Sequence, residues 1–215
     1  MGIEMSKSKS DVSLMEKKFE VSEAGQLPEK IGKSSEVSAL PEKIELMNKN
    51  DINERFSTYE ERLNQTPTEN SDRGEWEGKR GESKFIPNDQ EIKDILGEYG
   101  LDGVTYKDGT PDFSKASEST VKIDNMTENR AENFKKCDES CYKQWNKEEH
   151  NGKTDWTARD VAQWRRECGY SWHERNDMKT CDLIQSKIND YFGHLGGVSE
   201  CKKRDAINNG GDFDE

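Results

Sequence analysis

Apolar side chains recur at helical spacing in three stretches of this chain, and shorter apolar runs lie between turn signals. From Asp89 to Tyr99, Ile92, Ile95, Leu96 and Tyr99 fall on one face, and Gly100 suits the stop of a helix. A longer helix is expected from about Thr127, with Ala131, Phe134, Cys141 and Trp145 along one stripe. A third begins at Thr157, whose hydroxyl can cap while Asp160 sits three residues on, and ends at Gly169. Its Val161, Trp164, Arg165 and Cys168 share a face, which we expect to wedge beneath whatever site the next residues form. Leu101 to Phe113 reads as short strand and turns, marked by Asp108-Gly109 and Thr110-Pro111-Asp112, and Val121 with Ile123 suits a brief strand. Gly169 to His173 then reads as a strand, Asn176-Asp177 as a turn and Met178 to Gln185 as the returning strand. Ser186 would cap a short helix through Ile188, Asn189 and Tyr191. The local order is strand, turn, strand, helix.

Residues 1–70 lack such a pattern. They are rich in Ser, Glu, Lys and Asn and repeat Leu27-Pro28-Glu29-Lys30-Ile31 as Leu40-Pro41-Glu42-Lys43-Ile44, which reads as a duplicated linker element. Across the 215 residues 29% are hydrophobic and 36% charged, with a mean hydropathy of −1.18, too little apolar material for one core over the whole length. We therefore expect a disordered or linker arm over 1–70 and a preceding segment or N-terminal part of the folded region over 71–125. That second part opens on the Gly/Trp-containing turns of Arg73 to Ser83. The domain that carries the chemistry would span 126–205, and a flexible acidic tail 206–215. No stretch approaches the eighteen or so apolar residues of a membrane span. The five cysteines are an odd number without a signal-like start, which disfavours a disulfide scaffold, and Cys137 and Cys141, four apart on the expected helix with His150 downstream, are expected as buried free thiols rather than a small Zn²⁺ site. Met1 to Ser6 formally fits an acylation pattern of a kind that short matches produce by chance.

The net charge of −12 disfavours a nucleic-acid partner only until it is divided along the chain. Residues 131–205 hold 14 basic and 14 acidic side chains, so the whole acidic excess lies elsewhere. A neutral domain binds phosphate through a local patch rather than through long-range attraction.

Only three histidines occur, and two of them stand in short motifs twenty-one residues apart: Trp172-His173-Glu174 and His194-Leu195-Gly196-Gly197. In a strand, turn, strand, helix order, His173 at a strand end and Asn189 or His194 beyond can face one metal-sized gap. Imidazole, carboxylate and amide oxygen all serve as ligands of divalent ions, and a further imidazole serves as base. Gly193, Gly196 and Gly197 would let the backbone come close to a phosphate.

These motifs resemble the HNH/endonuclease VII superfamily, and specifically the DNase/tRNase domains of colicin-like bacteriocins and polymorphic toxins. The resemblance is strongest over 156–203 and weaker over 73–113. It implies an α+β fold, a mostly helical domain carrying a ββα-metal (His-Me) finger. It implies a metal-dependent endonuclease toxin that cuts DNA in the cytoplasm of a target bacterial cell, secreted or delivered by its producer and blocked there by a cognate immunity protein. His173 and Glu174 would be catalytic, as base and ligand in either order, and His194 and Asn189 would hold the metal. Arg175, Lys179, Lys202, Lys203 and Arg204 would contact phosphates. Many relatives carry a histidine where this chain has Asn189, which turns the expected ion toward Mg²⁺, with Zn²⁺ or Ni²⁺ as alternatives. The rival readings are a tRNA-cleaving toxin, in which the substrate 2′-hydroxyl attacks, and a non-catalytic binding module.

Overall fold

A computed structural model describes residues 55–209. The arm up to residue 54, the repeated Leu-Pro-Glu-Lys-Ile element and the last six residues of the expected tail lie outside the described residues. Residues 55–70, expected as part of the arm, belong to the folded unit: helix α1 (Tyr59–Gln65) starts on a Thr58/Glu61 capping box. Polar contacts hold it where apolar residues are scarce. Arg62 is buried and donates to Asp108, and the buried carboxylate of Glu200 accepts from the Phe56 amide (2.6 Å), the Ser57 amide (2.9 Å) and the Ser57 hydroxyl.

An antiparallel meander follows, β1 (Gly74–Trp76), β2 (Lys84–Pro87), β3 (Val104–Lys107) and β4 (Thr110–Pro111), in that spatial order. Helix α2 (Gln90–Glu98) interrupts it, capped by Asp89 and closed where Gly100 takes a left-handed φ of 70°. Asp108 and Gly109 both have positive φ, as the two-residue turn between β3 and β4 requires.

The second sheet has the order β5-β7-β6, built from β5 (Ser117–Lys122), β6 (Tyr170–Glu174) and β7 (Thr180–Gln185), all antiparallel. Both of its faces are covered. Cys181, Leu183 and Trp172 join one core with residues of α3 (Arg130–Glu148) and α4 (Ala158–Glu167), among them Cys137, Cys141, Trp145 and Val161. Ile184 joins the other core with Phe85, Leu96, Phe113 and the Ile188 of α5 (Ser186–Tyr191). Because β6 alternates in the same way, His173 and Glu174 leave its end on opposite faces. The expected boundary at 125/126 therefore falls inside one structure, since β5 pairs with β7 across it.

Three local expectations shift. The long helix begins at Arg130, not near Thr127, because the Asn129 side chain accepts from the Ala131 and Glu132 amides. Its buried stripe is Asn133, Cys137, Cys141 and Trp145, while Ala131 is exposed. The returning strand starts at Thr180, after a loop in which Asp177 accepts from the Lys179 and Thr180 amides and Met178 turns left-handed. Ser186 is the first residue of α5 and makes no side-chain cap; its amide donates to Gly169. The last helix, α6 (Gly197–Asn209), takes up residues 206–209 of the expected tail.

Candidate active site

The hairpin β6-β7 and helix α5 form the expected strand, turn, strand, helix, and the chain then turns back so that His194 meets His173. The two rings lie at 4.7 Å between centroids, with His194 Nε2 3.2 Å from His173 Nδ1. His194 Nδ1 lies 2.6 Å from the Phe192 carbonyl oxygen, which can only accept, so this nitrogen carries the proton and Nε2 keeps the lone pair. His173 Nδ1 is then the donor between the rings, and the free lone pair of His173 is on Nε2. The Phe113 ring meets His173 edge-on at 4.8 Å and His194 at 5.7 Å, so the turn after β4 wedges both imidazoles in place.

His173 is only 3% exposed. Burial holds both imidazoles below the usual histidine range; for His173 the neighbouring His194 adds to the shift and the Asn189 amide partly opposes it. Two neutral rings side by side are what either metal ligation or proton acceptance at neutral pH needs. Glu174 projects from the opposite face of β6. Burial raises its carboxyl above the usual range, while Arg130, 3.5 Å from Oε2, and Asn133, 3.4 Å from Oε1, oppose that shift.

These groups share a cavity of about 230 Å³ lined by His173, Glu174, Asn189, His194 and Arg130, and closed by Gly196 to Ser199. Asn189 Oδ1 is buried without a hydrogen-bond partner. Such an orphaned acceptor in one cavity with the open His173 Nε2 lone pair and the His194 Nε2 lone pair, which accepts from His173, is a donor set that fits a divalent ion. His194 has one ring nitrogen tied to a backbone carbonyl, as a metal-ligating histidine usually does, and its other nitrogen would exchange the His173 contact for an ion. Among the described residues no three His, Cys, Asp or Glu side chains gather closely enough to hold an ion.

Of the four residues expected at the centre, all line the cavity. The expected phosphate contacts are placed elsewhere. Arg175 grips the buried Asp182 carboxylate through two bonds of 2.6 Å, Lys203 pairs with Glu61, and Arg204 pairs with Asp205 at 2.8 Å; Lys179 and Lys202 are exposed. The glycines serve packing first. A Cβ at Gly197 would stand 2.4 Å from the Arg175 carbonyl oxygen, and one at Gly193 2.4 Å from that of Gln65. Cys137 and Cys141 are buried free thiols, as expected, and His150 stacks on Trp145 at 3.8 Å. Cys168 is exposed, and α4 packs along α3 rather than beneath the site.

Arg130 and the start of α6 are components the sequence did not announce. The first amides of a helix have no partner within it, and at α6 those of Gly197 and Val198 border the cavity, whereas the Ser199 amide already donates to the Gly196 carbonyl at 3.0 Å. Arg130 Nη2 donates to the Trp172 carbonyl at 3.3 Å, which holds a cation at the cavity rim.

Residues 103–196 match the family model of the DNase/tRNase domain of colicin-like bacteriocins. The matched segment runs from the start of β3 through the final histidine motif, and it supports a nuclease toxin of the colicin type. No curated protein matches the chain.

Proposed function

From the match of residues 103–196 to a colicin-like DNase/tRNase domain, we propose that this chain is a metal-dependent endonuclease toxin that hydrolyses phosphodiester bonds of DNA in a target bacterial cell. The observation that carries the reading is the meeting of His173, His194 and the orphaned Asn189 oxygen at one cavity. His194 Nε2 and Asn189 Oδ1 would hold the ion, His194 exchanging its contact with His173 for it. When bound, a divalent ion supplies a Lewis acid for a phosphoryl oxygen and for the leaving oxygen.

The chain's own groups do the rest. His173 is buried and neutral, and Nε2 holds the lone pair that takes the proton of an attacking water. Phe113 fixes the ring so that no rotation is needed at that moment. Arg130 and the first amides of α6 set positive charge where the phosphate gains negative charge. Glu174 lies on the other face of the strand, and we assign it the positioning of Arg130. The deciding experiment incubates the chain with plasmid and with tRNA in Mg²⁺, Mn²⁺, Zn²⁺ or EDTA. Metal-dependent plasmid nicking with 5′-phosphate ends is the expected result. A metal-independent cut of tRNA leaving cyclic phosphate would give the substrate 2′-hydroxyl the role of nucleophile instead.

The same family match leads us to propose a delivered toxin with a cognate immunity protein in the producer. Co-expression with the neighbouring reading frame should then restore growth of a host that the chain alone arrests.

A further inference from the structure

Arg130 belongs to two places at once. Its guanidinium borders the histidine cavity and also lies 5.1 Å over the ring of Phe134, one turn along α3. That ring lines a separate groove of about 480 Å³ between α3 and α4, with walls of Ala131, Ala158 and Ala162. The short alanine side chains leave the space open. On the rim Lys135, Arg159 and Arg166 are exposed, opposed by Glu139. The other acid of the groove, Asp138, is already neutralised by Arg165 at 3.0 and 3.2 Å and by the Trp172 indole at 2.9 Å. Arg165 also stands 4.9 Å over Phe134.

We propose, on the strength of the nuclease reading, that this α3/α4 groove binds an unpaired nucleobase next to the scissile phosphate, so that the preferred substrate contains a single-stranded nucleotide. The combination is one that recognises single strands: a flat surface of guanidinium and phenyl groups for a base to stack on, apolar walls at its edges, and cations outside for the backbone. A duplex keeps its bases stacked inside and offers this groove only phosphates. Continuity through Arg130 favours nucleic acid over a protein partner, because the residue that would meet the cleaved phosphate also packs on Phe134, the ring that lines the groove.

The test measures binding by the full chain in EDTA, using labelled twelve-nucleotide oligo(dT), 2′-O-methyl oligo(U) and a twelve-base-pair DNA duplex. None of these requires a cut, so the measurement stands apart from the cleavage assay. Wild type should prefer the single strands. Phe134→Ala should weaken single-strand binding roughly tenfold and leave duplex binding within about twofold. Ala162→Glu, which puts a carboxylate in the groove without removing core, should do the same and guards against a Phe134 variant that does not fold. A larger loss for the DNA oligomer, or for the RNA analogue, tells which single strand is the source. The proposal is overturned if folded Ala162→Glu binds single strands as wild type does, if the duplex loses equally, or if wild type binds no single strand. It is overturned too if these variants keep oligonucleotide binding and lose only that of the immunity protein. Normal plasmid cutting beside such results would leave the nuclease reading standing alone. Groove-dependent binding by a chain that cuts nothing would sink that reading and keep the groove.

Discussion

His173 is nearly buried, which changes what its replacement does. A strand-end histidine open to solvent would leave the fold untouched, whereas this ring packs against Phe113 and His194. His173→Ala should lower cleavage by about 10²–10⁴-fold and also lower the unfolding free energy by about 1–2 kcal/mol. Activity assays paired with urea melts check both; unchanged cleavage in the folded variant removes His173 from the chemistry. Asn189 tests the ion. Asn189→Ala should weaken Mg²⁺ binding in calorimetry, and Asn189→His should turn the preference toward Zn²⁺ or Ni²⁺, because imidazole suits those ions better than an amide oxygen does. Identical titrations for all three forms would exclude Asn189 as a ligand. The depressed histidines also give a signed pH dependence. Above the ordinary value of 6.5 the rings are neutral folded or unfolded and add nothing. Below it the unfolded chain takes up protons that the buried rings refuse, so stability falls with pH from about 6.5 down to the folded values. Glu174, raised above 4.5, has the opposite sign: it favours the fold at low pH and loses that contribution as pH rises through its folded value. In EDTA, wild type should lose more stability than His194→Gln between pH 7.5 and 5.5. Equal losses would mean that His194 is not held neutral.

At the scale of elements, what the sequence showed depended on whether an element is built by apolar periodicity or by polar contacts. Helices α2 and α4 were legible because Asp89 and Thr157 cap stretches with a regular apolar face, and the β6-β7-α5 order was legible from Trp172-His173 and the turn at Asn176-Asp177. Helix α6 was not, because its buried residues are Gly197, Glu200 and Cys201, which form no apolar stripe. Helix α1 hid for the same reason, with Arg62 as its buried residue. Arg130 escaped notice because its importance lies in where Asn129 starts the helix, about one turn from β6 in space and forty residues away in sequence. At the site, His173, Asn189 and His194 were legible as donors, but the tautomers set by Phe192 and the wedge of Phe113 depend on chain reversals that spacing does not encode. The tight start of α6 gives an element-level prediction. Gly197→Ala puts a Cβ against the Arg175 carbonyl and Met126, so α6 must move, with a loss of about 1–3 kcal/mol. Cleavage should fall with it, because the displaced amides line the cavity; a melt and a rate that both match wild type would show that the helix start can give way.

For the molecule as a whole, the working unit extends further toward the N-terminus than composition suggests. A fragment beginning at residue 55 should keep the stability of the described fold, whereas one beginning at 71 loses α1, leaves Asp108 without Arg62 and leaves Glu200 with only Asn176 of its partners. Loss of hydrogen bonds to a charged group typically destabilises by about 1–3 kcal/mol each, so the shorter fragment should melt earlier and cut poorly. Equal melting curves would return 55–70 to the arm. The Glu200 clasp also has a mechanical meaning. Where the preceding chain enters, the backbone amides of Phe56 and Ser57 are fastened to a side chain of α6, the helix whose first turn borders the histidines. Tension drawn through the N-terminal side is therefore loaded onto α6 and, through the Arg55–Asp108 pair, onto the turn between β3 and β4. A pull on that end would strain the start of α6 and with it the histidine cavity, which would be complete again only when that fastening closes.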